Sequence, residues 1–395
     1  MVPEVNIGLV GHVDHGKTSL AQALTHKWTD THSEEMKRGI TIRIGYADVT
    51  FYRCDKCKKY TNTQKCVSCF EDAKPLRTAS FVDAPGHETL MATVLSGSAL
   101  MDGALLLVSA DEKCPQTQTA EHLKVLDIAG IKNIIIVQNK IDLVSEEDAR
   151  KNYKEIRDFV RGTIAENAPV IPVSAVHNIN IDLLIEEIEK TIPTPERDSS
   201  KNPRFYIARS FDINKPGTPI KELKGGVVGG SLIHGVLKAG DEIEIRPGIK
   251  TNEKWVLLKT KITEISQAGK REEARPGGLA ALQTELDPSL TRGDALAGGL
   301  VGTDLPPNID EITIMPHLFD HIIGIEGTKK VDPIKTGDTI MMTVAIAKTV
   351  GVVTSSDKTV RMKLKLPICA ERGDKVSMAK QVHGRWHLIG WGEIA

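Results

Sequence analysis

The chain is 395 residues long and carries 51 Lys and Arg against 52 Asp and Glu, a net charge of -1 at pH 7. That length suggests roughly two to four domains, each large enough for its own core. The balanced charge excludes a globally basic nucleic-acid binder, so any such contact must come from a local patch.

No apolar run approaches the ~20 residues that a membrane span needs. The N-terminus MVPEVNIGLV has no basic segment ahead of a long apolar stretch, and its first apolar run leads straight into a functional loop. The expectation is a soluble, cytosolic protein from which nothing is cleaved. Six cysteines are present, four of them in two CxxC pairs. In a reducing compartment that favours metal over disulfide.

Taken in chain order, strand-like segments fall at Asn6–Val10, Ile44–Arg53, Ala79–Val82, Ala104–Ser109, Ile134–Gln138 and Val170–Val173. Helical patterns fall between them, at Ser19–Thr25, Thr117–Ala129, Glu146–Asn167 and Ile181–Thr191. This alternation predicts an open, mostly parallel α/β sheet. The second and third strands follow one another without a helix, which suggests an antiparallel pair at one edge. Pro, Ser and charged residues in IPTPERDSSKNP (Ile192–Pro203) read as a linker. Beyond it, short strands punctuated by Gly read as a small β-barrel, and after a break at Val301–Asp310 a second β-rich stretch runs to the end. The expected domains are 1–198 (α/β, with an insertion over about 52–76), 199–303 (barrel) and 304–395 (barrel). The tail 361–395 holds seven basic and three acidic residues, a net +4. It reads as a nucleic-acid patch or, equally, as a solvated barrel surface.

Gly11-His12-Val13-Asp14-His15-Gly16-Lys17-Thr18 fits the phosphate-binding pattern G-x-x-x-x-G-K-[ST], and it stands between an apolar strand and a helix. Backbone N–H groups from Asp14 to Ser19 would point at phosphates. Lys17 would bring a charge to the β/γ oxygens, and Thr18 a hydroxyl to Mg²⁺. Asn139-Lys140-Ile141-Asp142 follows an apolar strand. The Asp142 carboxylate can accept two parallel bonds from the N1–H and 2-amino edge of guanine, donors that adenine lacks, so the base is read as guanine. Ser174-Ala175-Val176, after the last strand, suits a loop touching the guanine O6. Asp83-Ala84-Pro85-Gly86-His87 follows another strand. Asp83 can hold a Mg²⁺-bound water, the Gly86 amide can approach a γ-phosphate, and His87 can orient the attacking water. Arg38-Gly39-Ile40-Thr41 can close over the γ-phosphate, with Thr41 as a second Mg²⁺ ligand. Standing alone, each of the shorter motifs would be an ordinary turn.

Cys54-x₂-Cys57 and Cys66-x₂-Cys69 can close a tetrahedral, structural Zn²⁺ site. The intervening KKYTNTQK is too short and polar to build a core of its own. Two disulfides are the alternative reading. Cys114 and Cys369 read as buried or semi-buried thiols.

GHVDHGKTSL, RGIT, DAPGHE, NKID and SA, followed by two β-barrels, resemble the elongation factor Tu class of translational GTPases. SEEMKRGITIRIGYAD, the four-Cys insertion, FVDAPGHETLMATVLSGSALMDGALL, GTIAENAPVIPVSA and ARSFDINKPGT extend the resemblance across the whole chain to the gamma-subunit family of translation initiation factor 2. Without a long N-terminal extension it resembles the archaeal form. The resemblance implies a complex with alpha and beta subunits that carries methionylated initiator tRNA to the small ribosomal subunit, in the cytoplasm, with GTP hydrolysis triggering release. It further implies that Tyr46 and the turn Arg275-Pro276-Gly277-Gly278 meet the acceptor end of the tRNA. Asp14 and Gly39 match positions that hold a second Mg²⁺ in the family. An elongation or selenocysteine-specific factor, or a GTP-binding scaffold with little hydrolysis, are the competing readings. The four-Cys insertion speaks against the first two.

Overall fold

The structure is a computed structural model that describes residues 1–27, 45–83, 91–252, 254–322 and 329–395. The chain divides into two compact units, one over Pro3–Pro195 and one over Glu196–Ile322 and Lys330–Ala395.

The first unit is a seven-stranded sheet. Its strands are β1 (Val5–Gly11), β2 (Gly45–Arg53), β3 (Tyr60–Thr61), β4 (Lys74–Asp83), β5 (Gly103–Ser109), β6 (Ile134–Asn139) and β7 (Val170–Pro172), in the order β3-β2-β4-β1-β5-β6-β7. From β4 to β7 the pairings are parallel, whereas β2 pairs antiparallel with β4 and β3 with β2. Every residue of β1, β5 and β6 is buried. That is why these segments read as unbroken apolar runs: a parallel strand covered on both faces has no polar side to show.

The helices that cover the sheet are α1 (Lys17–Thr25), α2 (Met91–Ser98), α3 (Thr117–Ala129), α4 (Glu146–Val160) and α5 (Ile181–Thr191). In α5 the buried residues are Ile181, Leu184, Ile185 and Ile188, one stripe at helical spacing. The Ser145 hydroxyl accepts from the Asp148 N–H at 3.1 Å and caps α4, whose first turn is acidic. The helix expected over Glu146–Asn167 stops at Val160. Arg161 has ψ 130° and Gly162 has φ +71°, so the backbone leaves the helix there, and a series of turns carries it to β7. The third strand, expected from Ala79, starts at Lys74, because Lys74 and Pro75 pair with Arg53 and Tyr52 at the sheet edge.

The second unit holds two barrels. In the first, β8 (Arg204–Phe211), β9 (Val227–His234), β11 (Glu242–Thr251), β12 (Lys254–Ser266), β15 (Ala280–Thr284) and β16 (Leu300–Gly302) close into a ring through the β11–β12 pairing. Short pieces β10 (Leu237–Lys238), β13 (Lys270–Arg271) and β14 (Glu273–Ala274) border it. The second barrel closes as β17-β20-β19-β18-β21-β22, from β17 (Asn308–Leu318), β18 (Thr339–Val344), β19 (Ala347–Ser356), β20 (Val360–Cys369), β21 (Lys375–Val382) and β22 (Arg385–Ile394). Along β20 the side chains of Val360, Met362 and Leu364 turn inward, and Arg361, Lys363 and Lys365 turn to solvent. Strand alternation thus places these three charges of the basic tail on the outer surface. Among the described residues no helix is long and apolar enough to cross a membrane.

Candidate nucleotide and metal sites

The glycine-rich loop leaves the C-terminal end of β1 and enters α1. Gly11 has φ +144°, and a Cβ there would stand 2.5 Å from the Leu107 carbonyl. At Gly16, with φ +85°, a Cβ would stand 2.4 Å from Asn139 Nδ2. Neither position admits a side chain, so the loop spacing follows from close backbone approach as well as from torsion. Lys17, buried within the loop, donates from Nζ to the carbonyls of Gly11 at 3.0 Å and His12 at 2.6 Å. The loop therefore wraps its own lysine and sets the ammonium at the mouth of the α1 N-terminus. His15 is fully buried; its Nδ1 donates to the Leu107 carbonyl at 2.9 Å, and burial holds its pKa below the ordinary value. Asp14 is exposed at φ +62°, and Ser19 lies in the first turn of α1.

Thr18 Oγ1 donates to Asp83 Oδ2 at 3.0 Å, which joins the start of α1 to the end of β4. The hydroxyl and carboxylate oxygens expected at a Mg²⁺ ion are thus brought together by the fold. They form a hard oxygen donor set of the kind such an ion takes.

Asn139 links three loops. Its Nδ2 donates to the His15 carbonyl at 2.9 Å, and its Oδ1 accepts from the Ala175 N–H at 3.1 Å. Lys140 follows at φ +63°, and its Nζ lies 3.8 Å from Asp111 Oδ2. Asp142 sits in a short 3₁₀ turn, Ile141–Leu143. The Ser174 hydroxyl, foremost, holds its carboxyl below the usual carboxylate range, and His177 Nε2 lies 3.6 Å away. Ser174 and Ala175 are buried, and Val176 is exposed. The glycine-rich loop, the Asn139–Asp142 turn and the Ser174–Val176 loop therefore share one edge of the sheet. Gly39, Thr41, Gly86 and His87 lie outside the described residues.

Two contributors, one buried and one half-buried, carry no sequence motif. His122, on α3, accepts the Gly11 N–H on Nδ1 at 2.8 Å; burial drives its pKa down to about 3, so it stays neutral and an acceptor. Glu112 Oε2 lies 3.4 Å from His15 Nε2. Nothing in AEHLKVL distinguishes His122 from a core histidine.

In the insertion, the four cysteine sulfurs lie within 4.8 Å of one another, and Cys54 Sγ is 3.5 Å from Cys69 Sγ. All six cysteines are free thiols, so the disulfide alternative is not what the chain forms. Four thiolates at ~2.3 Å from a tetrahedral Zn²⁺ would sit roughly 3.8 Å apart, close to this arrangement. The two halves repeat one another: Cys54 N–H donates to the Lys59 carbonyl and Cys66 N–H to the Glu71 carbonyl, both at 2.9 Å. Backbone N–H groups of Ser68 and Cys69 hold the Cys66 thiol down to about 7. Such amides favour the thiolate that a metal requires. Cys114 and Cys369 are buried, and burial pushes the Cys114 thiol up to about 12.

The residues expected at a tRNA end divide between the two units. Tyr46 lies on β2 opposite Val82. Gly277 and Gly278, at φ +112° and +62°, form a turn held by Gln267, whose Nε2 donates to the Arg275 and Gly277 carbonyls at 2.7 and 2.6 Å.

Comparison with known proteins identifies the family. Residues 3–194 match the elongation factor Tu GTP binding domain, and residues 310–394 match the C-terminal domain of initiation factor eIF2 gamma. The chain is 56% identical over 400 residues to translation initiation factor 2 subunit gamma of Methanocaldococcus jannaschii, covering 99% of this chain and 97% of that protein. It is 52% identical over 399 residues to the protein of the same name from Pyrococcus abyssi, with 99% and 97% covered. Among solved structures, the fold resembles a bacterial selenocysteine-specific elongation factor EF-Sec at a TM-score of 0.76 and 24% identity, over 100% of this chain and 58% of that one. It also resembles elongation factor SelB of Methanococcus maripaludis, solved with the GTP analogue GppNHp, at 0.74 and 23%, over 100% and 79%. At those identities the likeness is one of fold. The chain belongs to the translation initiation factor 2 gamma-subunit family, within the class of translational GTPases that shares the elongation factor Tu GTP-binding domain.

Proposed function

We propose that this chain is the GTP-binding and GTP-hydrolysing subunit of a cytoplasmic initiation factor, and that its GTP state carries methionylated initiator tRNA to the small ribosomal subunit. The observation that carries the nucleotide part is Asn139, which ties the glycine-rich loop to the Ser174–Val176 loop one turn ahead of Asp142. Such a stitched edge offers phosphates and base a common, preorganised cleft. In this reading the backbone N–H groups from Asp14 to Ser19 and Lys17 take the phosphates. Lys140 and Asn139 shape the floor, Asp142 reads the guanine edge, and Ser174, Ala175 and Val176 line its O6 side. Thr18 and Asp83, with Thr41 and, for a second ion, Asp14 and Gly39, would hold Mg²⁺, which when bound neutralises charge on the β/γ oxygens. Gly86 meets the γ-phosphate and His87 orients the attacking water. The initiator-tRNA part rests on the family. Tyr46, Gly277 and Gly278 are assigned to the acceptor end, alpha and beta subunits complete the factor, and the domains run over 1–198, 199–303 and 304–395.

Two measurements test this. The GTP-loaded factor is expected to retain methionyl-initiator tRNA at least about tenfold better than elongator aminoacyl-tRNAs, a difference of ~1.4 kcal/mol. Equal retention would instead indicate an elongation-type carrier. His87→Ala is expected to slow hydrolysis in the assembled initiation complex by about 100-fold or more, the scale of a lost positioning group. An unchanged rate would remove His87 from the mechanism.

A further inference from the structure

Helix α1 begins at the phosphate-binding loop and ends at Thr25. The last four carbonyls of any helix lack partners inside it. Here the Gln22 carbonyl takes the His26 N–H at 2.8 Å. The next two are taken by one side chain from the four-cysteine insertion: Asn62 Nδ2 donates to Ala23 O at 2.8 Å and to Leu24 O at 2.9 Å. Asn62 directly follows β3, whose two residues pair with β2 beside Cys54. Tyr60 packs against the same core cluster that holds Leu20, Ala21 and Leu24 of α1. Lys59 Nζ lies 3.6 Å from Asp182 Oδ2, at the start of α5. The insertion therefore grips the far end of the helix whose near end faces the nucleotide site.

The insertion has almost no core of its own: its buried cluster is Cys54, Cys66 and Ala73, so two of three members are proposed metal ligands. In such a segment metal binding supplies much of the order. We propose that the insertion is a brace for the phosphate-binding helix, with Asn62 as its positioning residue, and that metal occupancy and guanine-nucleotide binding are thereby linked. Order in the insertion fixes Asn62; Asn62 fixes the C-terminus of α1; α1 carries Lys17 and Thr18 in its first turn. Linkage of two binding equilibria is reciprocal, so the nucleotide must stabilise the metal as much as the metal stabilises the nucleotide. This inference rests on the reading of the glycine-rich loop as the nucleotide site.

The test uses the full chain loaded with Zn²⁺ and a fluorescent GDP. Asn62→Asp keeps the shape but sets a carboxylate against two carbonyls at a helix C-terminus, where negative charge is unfavourable. It is expected to raise the GDP dissociation rate about tenfold, and Asn62→Ala about fivefold, with one Zn²⁺ per chain retained in both. In the wild type, saturating GDP is expected to strengthen Zn²⁺ retention against a chromophoric chelator by about fivefold, and this gain is expected to vanish in Asn62→Ala. A purely structural asparagine would lower the melting temperature and leave the linkage intact. Wild-type dissociation rates in both variants, or Zn²⁺ retention indifferent to GDP in the wild type, would overturn the brace. A wild-type chain that binds no GDP would overturn the nucleotide site itself.

Discussion

Replacing Asp142 by Asn is expected to turn a guanine-specific site into one that prefers xanthine nucleotides. The Asp142 carboxylate lies at the strand end beside Ser174 and is held ionised, chiefly by the Ser174 hydroxyl. An ionised carboxylate accepts only, which matches the two donors on the guanine edge. Asn offers one acceptor and one donor, which matches xanthine, where a carbonyl replaces the 2-amino group. With guanine, the Asn amide N–H meets the 2-amino N–H, and one charge-assisted bond is lost. Hydrogen bonds to charged groups contribute about 1.5–3 kcal/mol each. The expected loss of GTP affinity is therefore about 100-fold, with a comparable gain for XTP, read from competition against a fluorescent GDP. Asn139 is untouched, so the loops stay joined and the phosphate contacts survive. Unchanged GTP affinity with no gain for XTP would remove Asp142 from base recognition.

The second large effect is expected from the metal. Cys66→Ser removes a proposed ligand whose thiolate the Ser68 and Cys69 backbone N–H groups favour. Structural Zn²⁺ sites in small metal-ordered modules contribute apparent binding energies of about 10–16 kcal/mol at neutral pH. The buried cluster left behind in the insertion contains, apart from cysteine, Ala73 alone. The wild type is expected to hold one Zn²⁺ per chain and Cys66→Ser none under the same chelator challenge. Limited proteolysis is then expected to cut the variant between Arg53 and Lys74 while the sheet of β1, β5 and β6 resists. Those strands are wholly buried and share no residue with the insertion cluster. Full protection of the metal-free insertion would mean that the four thiols are held together by packing rather than by an ion.

What the sequence discloses and what it withholds follow one physical division. Local chemistry was legible. The glycine spacing in the phosphate loop reflects two positions where a Cβ would strike backbone or Asn139, and that demand is written into the residues themselves. The apolar runs of β1, β5 and β6 announce strands covered on both faces. The paired CxxC spacing announces four sulfurs in one place. Non-local choices were not legible. The closure of the first barrel depends on the β11–β12 pairing, which no single segment encodes. The expected helix over Glu146–Asn167 overran because KEIRDFVRGTIAEN keeps a helical spacing of apolar residues past Val160. Gly162 ends it, and the Arg157 guanidinium then secures the following turns by donating to the Ala168 and Glu166 carbonyls at 3.1 and 2.7 Å. The roles of His122 and Asn62 are not legible for the same reason. Their roles arise from partners 111 and 38–39 residues away, and neither stands in a motif.

In the proposed function, nucleotide state controls tRNA binding. It is tested most directly by the retention of methionyl-initiator tRNA on the assembled factor, measured side by side with a non-hydrolysable GTP analogue and with GDP. A switch of this kind must bind its cargo with different free energies in its two states. The GTP-analogue state is expected to bind at least about tenfold more tightly, a coupling of ~1.4 kcal/mol or more. Equal affinity in the two states would contradict the account, leaving a guanine-nucleotide-binding protein whose nucleotide does not govern its cargo.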